Sequence, residues 1–463
     1  MNWSRLYSSK RTGDREWKDA NPDPVRTSFV RDYDRIIFSS AFRRLQNKTQ
    51  VFPLPGAVFV HNRLTHSLEV ASVGRSLGKV VGDQLAEKYQ NEGEAFKEFY
   101  KYELQSVIAA ACLAHDIGNP PFGHSGEDAI RSFFTQLSGD TKKKFDELLT
   151  ENQRKDFEVF EGNSNAFRIL THSFNEQEPG GYKLTYATLA SIVKYPCSSS
   201  EGFDKQTGLI ATKKSGFFDS EVAVYEALAN DLAIIKKENH KHVYARHPYV
   251  YLTEAADDIC YRVIDLEDAH RLHIISLEKF MSLFLPFFEE EKNYNSLEYV
   301  QKKLRNINDD NQKVQFIRAK WIGLMVEKLS HAFLQKEAQL LTGTLEVDLL
   351  KCLSAKDQEL IKLINEFSVN VIYNYRSVVE IEIAGFNIIG GLLKEFVNAV
   401  IDPNNQRSEK LLMLVPKQFA ITQNPNELYH NIQSVVDFIS GMTDLYAIDL
   451  YRKITGITIP ELR

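Results

Sequence analysis

An all-α fold is the class that this sequence predicts, and two observations support it. Apolar residues recur at helical spacing through long segments, whereas runs that alternate like β-strands are few and short. Hydrophobic residues make up 43% of the 463 residues, with 29 Phe and 20 Tyr, which is ample for a large core. Six segments follow the helical pattern outside the motifs discussed below: 105–113, 222–236, 314–334, 359–372, 388–400 and 432–454.

The first segment that carries chemistry begins at Arg63. Leu64, Leu68 and Ala71 follow at near-helical spacing, so we predict an amphipathic helix here. His66 lies in its first turn, where the imidazole can reach a neighbouring helix. A lone histidine on such a helix is more often a core or surface side chain than a metal ligand. His66 is therefore a candidate metal ligand only in combination with residues elsewhere in the chain.

The stretch 107–127 is the most informative part of the chain. Its apolar run ends at the adjacent pair His115-Asp116, and Gly118 and two prolines then interrupt the helix. Glycine ends helices cheaply and proline cannot continue one, so the backbone can turn both side chains toward one divalent cation. An imidazole beside a carboxylate suits a metal used for hydrolysis rather than a structural site built from thiolates.

A second titratable pair follows at the start of the next predicted helix. His124 and Glu127 are three residues apart and therefore share a helix face. Ser125 and Asp128 have the spacing of a capping box, which predicts that the helix opens on them.

The stretch 252–265 is also helical by pattern. Asp257, Tyr261 and Asp265 recur every four residues and form a polar stripe along one face. Carboxylates repeated along a stripe repel each other unless a cation or a hydrogen-bonding ligand faces them. This nominates Asp257 as a further metal ligand, with Tyr261 and Asp265 extending toward a substrate; taken alone, the stripe would more often be a solvated helix face.

Composition predicts the cellular setting. The four cysteines, at positions 112, 197, 260 and 352, show no paired spacing, which favours a reduced cytoplasmic protein without disulfides. The N-terminal residues are polar rather than signal-like, and the longest apolar run, 107–114, is too short to span a bilayer, so no membrane partner is expected. A net charge of −6 does not suggest a nucleic-acid-binding protein.

The order His66, His115-Asp116, Asp257, on separate predicted helices, resembles the signature of the HD phosphohydrolase superfamily. Longer strings resemble a narrower group within it, the deoxyguanosine triphosphate triphosphohydrolases, and occur in family order. These strings are 32–46, 48–53, 160–163, 194–196, 216–218 and 441–444. Between residues 272 and 427 little resemblance is found.

The resemblance implies hydrolysis of a deoxynucleoside triphosphate, most commonly dGTP, to the deoxynucleoside and intact tripolyphosphate. Water attacks the α-phosphorus and the 5′ oxygen leaves. A metal with open positions would lower the pKa of the water and polarise the phosphorus. A set of two His and two Asp accepts Mn²⁺ or Mg²⁺, and also Fe²⁺ or Co²⁺. The implied metal ligands are His66, His115, Asp116 and Asp257.

The resemblance also implies the proton-transfer and phosphate-binding residues. His124 would act as general acid or base, ahead of a role as nucleophile, and Glu127 would orient it. The implied phosphate contacts are Arg63, Asn163, Lys194, Tyr195 and Lys214. The family usually has an aromatic residue where Ser215 stands. The turn-rich stretch 197–202 predicts a mobile lid that the substrate orders.

Sugar recognition is implied for three residues. Tyr261 would stack below the deoxyribose and leave no room for a 2′-hydroxyl, while Gln50 and Asp265 would meet the 3′-hydroxyl. A site built to pair a substrate hydroxyl discriminates strongly, because its own polar groups are otherwise stranded. The base contacts are expected from the region after Leu272.

The positions of the implied ligands suggest a division of the chain. Residues 1–271 are expected to form an HD-type catalytic core, and 272–463 a helical region packed on it that recognises the base and forms an oligomer interface. Family members of this kind are hexamers or tetramers, so we expect a homo-oligomer, with the hexamer favoured. A regulatory nucleotide or single-stranded DNA is a further candidate partner.

Two other functions were weighed. A different nucleotide phosphohydrolase of the HD superfamily is disfavoured by the string 32–46, by Gln50 and by the pair His124 and Glu127, which the superfamily at large lacks. A sensor regulated by nucleotides or single-stranded DNA, without turnover, is disfavoured because all four implied ligands are present.

Overall fold

The computed structural model describes residues 1–14, 26–53, 60–174, 179–419, 421–422 and 424–458. Within these ranges the chain is built from helices, with isolated β-bridges and no sheet, which confirms the all-α prediction. The α-helices are α1 (Ser28–Ile37), α2 (Ser40–Arg44), α3 (Arg63–Lys88), α4 (Glu94–Glu98), α5 (Leu104–Ala114), α6 (His124–Thr135), α7 (Gly139–Leu148), α8 (Glu151–Glu158), α9 (Gly162–Thr171), α10 (Tyr186–Ile192), α11 (Val222–Asp231), α12 (Pro248–Arg271), α13 (Leu277–Phe284), α14 (Leu297–Leu304), α15 (Asp310–Gln335), α16 (Glu337–Thr342), α17 (Ala355–Phe367), α18 (Arg376–Ile401), α19 (Gln406–Leu412), α20 (Leu428–Ser440) and α21 (Asp444–Ile454).

Shorter helical turns connect these elements. Two are π-helical, Phe99–Glu103 and Ser368–Tyr373. The 3₁₀ turns are Trp3–Arg5, Leu45–Asn47, Ile210–Thr212, Asp219–Glu221, Leu285–Phe288, Asn293–Asn295, Leu349–Cys352 and Pro425–Glu427.

Helices α3, α5 and α12 form the scaffold of the first half of the chain. Helix α3 begins at a capping box in which Asn62 and Thr65 each bond the other's backbone N–H. Helix α5 is buried along its whole apolar run, residues 107–114, and packs against α3. Helix α12 begins with Pro248 and packs on both α3 and α5. These three helices carry His66, the pair His115-Asp116 and Asp257 to one place.

Two apolar clusters make up the core. One surrounds α3, α5, α12 and α15 and extends to Val378. The other joins α6, α7 and α8 to α18, α20 and α21, with Phe134, Phe396 and Ile432 at its centre, each fully buried. Both clusters contain residues from before and after position 272, and the chain crosses between them near residues 114–122.

Some predicted helix boundaries differ from the structure. The expected helix 432–454 is broken at 441–443, where Thr443 caps α21 by accepting a bond from Tyr446 N. The expected helix 222–236 ends at Asp231, and Ala233 takes a left-handed conformation with φ of 52°. The predicted capping box of α6 is absent: Gly123 precedes the helix, and the Ser125 hydroxyl instead donates to the Glu382 carbonyl.

The stretch 197–202 differs from the predicted mobile lid. Cys197, Ser198 and Ser199 are buried, and two β-bridges join Cys197 to Val243 and Ser198 to Phe217. Backbone hydrogen bonds therefore secure this stretch without a substrate. The turn-forming residues are used to fold it against the protein.

Helix α18 is the one element in the described ranges that is long and apolar enough, by length and composition, to cross a membrane, and 44% of its most apolar window is buried inside the fold. Core helices of soluble proteins meet the same criterion, so the observation is weak. The four cysteines are free thiols.

Candidate functional site

A cavity of about 570 Å³ lies where the two apolar clusters meet. Its walls come from the ends of α3, α5 and α6, from the middle of α12, and from the start of α18 with the π-turn before it. Thirteen of the fourteen residues predicted for the site line it: Gln50, Arg63, His66, His115, Asp116, His124, Glu127, Asn163, Lys194, Tyr195, Lys214, Asp257 and Tyr261.

The four candidate metal ligands lie together at the base of the cavity. Donor atoms of His66, His115 and Asp116 lie within 4.8 Å of one another. The fourth, Asp257, has its Oδ1 3.0 Å from His66 Nε2 and 3.5 Å from His115 Nε2. Two imidazoles and two carboxylates from three helices thus converge on a single point.

The hydrogen bonding of His115 suits a metal ligand. Its Nδ1 donates to the Cys112 carbonyl at 2.6 Å, so Nε2 is the ring nitrogen available to a metal. That Nε2 is buried and has no hydrogen-bond partner, yet it faces the carboxylates of Asp116 and Asp257. A buried lone pair aimed at two carboxylates calls for a cation between them, so this donor set fits a divalent metal.

Both carboxylates are held in the anionic form that a metal requires. Burial on its own would raise the pKa of Asp116, but Arg63 and the nearby imidazoles outweigh it and lower that pKa. The pKa of Asp257 is likewise lowered, because His115 and His66 outweigh its burial. Arg63 Nη1 donates to Asp116 Oδ2 at 2.8 Å, and Asn119 donates to the other oxygen at 2.6 Å.

The His124–Glu127 pair forms as predicted at the mouth of the cavity. His124 Nδ1 lies 3.1 Å from Glu127 Oε2, and the imidazole is 81% exposed whereas the carboxylate is 1% exposed. Gly162 N donates to the other Glu127 oxygen at 2.8 Å. The hydrogen bond to Glu127 raises the pKa of His124. A fixed carboxylate therefore orients an accessible imidazole, which is the arrangement of a general acid or base.

The two candidate phosphate lysines also line the cavity, and each has a carboxylate partner. Lys194 Nζ lies 3.2 Å from Glu254, and Lys214 Nζ lies 2.9 Å from Glu161. Burial opposes ionisation of both lysines, but these partners outweigh it and raise the pKa of each. Asn163 donates to the same Glu161 carboxylate at 2.7 Å.

Of the three candidate sugar residues, two line the cavity and one lies behind its wall. Gln50 lines the cavity, and its Oε1 is buried without a partner. Tyr261 lines it too, with its ring stacked on Tyr373 at 5.9 Å between centroids. Asp265 does not line the cavity: it is 2% exposed and accepts a hydrogen bond from the Tyr373 hydroxyl at 2.7 Å. Burial raises the pKa of Asp265 to about 7.

The structure places the Asp265 carboxylate behind Tyr373 rather than in the cavity lining, and its contact with a substrate stays a prediction. The four-residue spacing does place Asp265 on the stripe of Asp257 and Tyr261, but Tyr373 approaches from a distant part of the chain and takes its carboxylate. No pattern within α12 could have indicated that contact.

Several residues of the cavity wall were not predicted from the sequence. The C-terminal part of the chain contributes Tyr373, Val378, Ile381 and Glu382. Their segment offered no motif, only the expectation that base contacts would come from beyond Leu272. Glu161, by contrast, stands inside the recognised string 160–163 and could have been nominated.

Comparison with known proteins agrees with this geometry. Residues 63–195 match the HD domain, and residues 352–453 match the phosphohydrolase-associated domain. The first span holds three of the four candidate metal ligands, and the second holds the far wall of the cavity. Asp257 lies between the two spans.

Relatives extend the similarity over the whole chain. A deoxyguanosinetriphosphate triphosphohydrolase-like protein of Synechocystis sp. is 37% identical over 99% of this chain and 100% of its own length. A protein of the same description from Listeria monocytogenes is 34% identical, again over 99% of this chain and all of its own length. A deoxyguanosinetriphosphate triphosphohydrolase of Yersinia enterocolitica is 29% identical over 92% of this chain and 93% of its own length.

Full-length similarity at this level, together with the HD domain and its associated domain, leads to one conclusion. The chain belongs to the deoxyguanosinetriphosphate triphosphohydrolase family of the HD superfamily of hydrolases.

Proposed function

We propose that this protein hydrolyses dGTP at the α-phosphate and releases deoxyguanosine and intact tripolyphosphate. The observation that carries the proposal is the arrangement of one cavity: a candidate metal-ligand set at its base, the His124–Glu127 pair at its mouth, and two lysines in its wall. The Yersinia relative is described as a deoxyguanosinetriphosphate triphosphohydrolase and the other two as proteins like it, which supports guanine as the base.

We assign the metal to His66, His115, Asp116 and Asp257. Mn²⁺ or Mg²⁺ is the expected ion, with Fe²⁺ or Co²⁺ also compatible with these donors. A divalent cation there would supply Lewis acidity toward a phosphoryl group and toward water. Arg63, which already bonds Asp116, stands beside the ligand set and would contact the α-phosphate.

His124 is the proton-transfer residue of the proposal. With its raised pKa it can hold a proton near neutral pH and give it to the leaving 5′ oxygen, while Glu127 fixes the ring and stabilises the imidazolium. A general acid of this kind contributes on the order of 10²- to 10⁴-fold to the rate.

The charge of the cavity explains why phosphate-binding cations are needed. Among the described lining residues, three cations face six carboxylates: Arg63, Lys194 and Lys214, against Asp116, Glu127, Glu161, Glu254, Asp257 and Glu382. A triphosphate, with roughly four negative charges, would be repelled unless a metal joined the cations. We propose that Lys194, Tyr195, Lys214 and Asn163 bind the phosphates.

For the nucleoside we propose that Tyr261 and Gln50 contact the sugar, with Asp265 acting through the Tyr373 hydroxyl. Gln50 Oε1 has no hydrogen-bond partner and can accept a hydrogen bond from a 3′-hydroxyl. The base would then lie against the wall that the region after residue 272 supplies. We further propose that the protein is cytoplasmic and forms a homo-oligomer, with a hexamer favoured over a tetramer. A nucleotide or single-stranded DNA is the proposed regulator, and the activity assays below include both.

Product analysis tests the proposal. The protein is incubated with each of the four dNTPs and with GTP, in Mn²⁺ or Mg²⁺, and the products are separated by anion exchange. We expect deoxyguanosine and tripolyphosphate from dGTP. Orthophosphate or pyrophosphate would assign a different HD nucleotide hydrolase. No turnover, even with mixed nucleotides or single-stranded DNA added, would indicate a sensor.

A variant of His124 separates chemistry from assembly of the site. His124→Ala should keep the bound metal, measured by elemental analysis, and lose at least about a hundredfold in kcat. Asp128→Ala, an exposed neighbour on the same helix, is the control. Near-normal turnover in the His124 variant would remove this residue from the mechanism.

A further inference from the structure

A buried carboxylate at the junction of α20 and α21 bonds two separate loops of the active-site wall. Asp444, the first residue of α21, is 4% exposed. Its Oδ2 accepts from Thr49 N at 2.8 Å and from the Thr49 hydroxyl at 2.6 Å, and its Oδ1 accepts from Phe122 N at 3.0 Å. One side chain thus satisfies three donors from residues more than 300 positions away.

Both residues that donate to Asp444 lie close in sequence to candidate active-site residues. Thr49 directly precedes Gln50, the candidate sugar residue, and Phe122 stands two residues before His124, the candidate proton-transfer residue. Both loops line the cavity. Asp444 itself does not line it, so any effect on the reaction must pass through these neighbours.

The loop at Phe122 needs such a restraint. Phe122 has φ of 62° and Gly123 has φ of 57°, so two consecutive residues are left-handed and one of them carries a Cβ. A bulky residue adopts this conformation only where its surroundings fix it. Asp444 fixes the backbone N–H, and α18 accommodates the ring, since a Cβ at Gly385 would lie 2.4 Å from Phe122 Cγ.

A second buried contact joins the same elements. Lys48, 2% exposed, donates its ammonium hydrogens to the carbonyls of Asn119 and of Ser440, the latter at 2.9 Å. Ser440 ends α20, and Asn119 lies in the loop between His115-Asp116 and His124. The junction of α20 and α21 is therefore bonded twice to this loop.

We propose that Asp444 is a positioning residue for the reaction: it holds the backbone of Phe122, and thereby His124, and the backbone of Thr49, and thereby Gln50. The inference rests on the proposed function, since turnover is one of its readouts. A merely structural role would stabilise the fold without changing the alignment of His124. The two roles differ in what they do to kcat, to KM and to local backbone exchange.

The first test is Asp444→Asn, which keeps size but replaces one acceptor oxygen with a donor. In either orientation the NH₂ group of the amide faces a backbone N–H, that of Thr49 or that of Phe122, and cannot accept a hydrogen bond from it. We expect kcat for dGTP to fall about tenfold to a hundredfold, because misplacement by about 1 Å costs on that order. Metal content should stay unchanged. Asp156→Asn is the matched control, a buried carboxylate whose partners Tyr429, Asp219 N and Ser199 do not line the cavity.

Two readouts separate positioning from stability. In a His124→Ala background, Asp444→Asn should lower kcat by a smaller factor than in the wild type, because the part of its effect that acts through His124 is already lost. Hydrogen exchange should accelerate at the amides of Thr49 and Phe122 while remaining unchanged in α5. A kcat loss that is fully additive with His124→Ala, or unchanged exchange at both amides, would overturn the proposal.

A second pair of variants decides the matter if Asp444→Asn does not fold. Gly385→Ala displaces the Phe122 ring from α18, whereas Gly390→Ala on the same helix meets no atom within 4 Å. We expect the first to lower kcat about tenfold and the second to leave it unchanged. Equal kcat values in the two variants would overturn the inference. If the wild-type protein releases no deoxyguanosine, the proposed function fails, while the exchange at Phe122 still tests the restraint.

Discussion

At the scale of single residues, the charge on Glu127 controls the proton affinity of His124. The 3.1 Å hydrogen bond raises the pKa of His124, so its protonated fraction persists to higher pH than in an isolated imidazole. Glu127→Gln keeps an acceptor for Gly162 N but removes the charge. The pKa of His124 should then fall, and with it the pH at which the protonated form is lost.

The kinetic consequence has a definite sign. If His124 protonates the leaving oxygen, the alkaline decline of kcat/KM should move to lower pH in Glu127→Gln, by about one unit for each 1.4 kcal/mol of lost interaction. The pH profile of kcat/KM checks this. Asp128→Asn, which alters a carboxylate paired with Arg131 rather than with His124, should leave the profile in place. If His124 is the base instead, the acidic limb of the profile should move to lower pH and the alkaline limb should stay in place.

Tyr261 offers a second prediction at this scale. Its ring lines the cavity and stacks on Tyr373, so it can exclude a 2′-hydroxyl by occupying space. In Tyr261→Ala we expect the ratio of kcat/KM for dGTP over GTP to fall about tenfold or more. Tyr261→Phe keeps the ring and should keep the ratio. An unchanged ratio in the alanine variant would remove Tyr261 from sugar discrimination.

Residue-scale prediction from sequence worked where a motif is local. His115 and Asp116 are adjacent, and their orientation depends on the end of a helix. Gly118 and the prolines that follow it predict that end. Asp265 shows the limit: its spacing on α12 is right, but whether its carboxylate reaches a ligand depends on Tyr373, 108 positions away. Such a contact has no local signal.

At the scale of elements, the π-turn Ser368–Tyr373 determines where Tyr373 lies. A π-turn contains one residue more than the α-helical turn it replaces, and such turns are frequent at functional sites. Asn370 is an exposed residue within it. Deletion of Asn370 should restore α-helical winding and rotate Tyr373 by about 100°, away from Asp265 and Tyr261.

We expect the deletion to lower kcat/KM for dGTP and to reduce the preference for dGTP over GTP, because both Asp265 and Tyr261 lose their neighbour. Steady-state kinetics with the two substrates measure both effects. Asn370→Ala keeps the chain length and should behave as the wild type. A deletion variant with unchanged selectivity would show that the π-turn does not set the sugar site.

Helix existence was predictable from periodicity, whereas helix ends were not. The expected helix 432–454 has continuous apolar spacing, yet the structure breaks it at 441–443, where Asp444 bonds the active-site loops. The capping box expected at Ser125 failed because the Ser125 hydroxyl bonds α18 instead. At Ser125 a tertiary contact outweighed the local pattern, whereas at 441–443 the next helix begins at a local cap, Thr443.

At the scale of the whole molecule, the cavity depends on elements far apart in sequence. Its base uses α3, α5 and α12, which the sequence order of His and Asp predicted. Its far wall contains Tyr373, Val378 and Glu382. For these residues the sequence predicted only that base contacts would come from the region after residue 272. Packing of α18 against α6 brings that wall into place, and neither helix carries a motif for the other.

Because the candidate metal ligands come from three helices, a metal bound by them should stabilise the entire fold. Without a cation, the carboxylates of Asp116 and Asp257 converge on the same point with the lone pair of His115 Nε2, which is unfavourable in a buried site. A ligand that binds the folded state alone stabilises it by about 2.7 kcal/mol at a hundredfold excess over its Kd. For a protein of this size we expect a rise in Tm of about 3 °C.

Calorimetry of the chelated protein with and without added Mn²⁺ measures this shift, independently of any activity. His115→Ala is the matched control, because it removes the unpartnered nitrogen while leaving the apolar run of α5 intact, and its Tm should not respond to the ion. Equal responses in the two proteins would place the stabilising metal elsewhere. A response in the wild type alone would assign the ion to the junction of α3, α5 and α12, where the substrate cavity has its base.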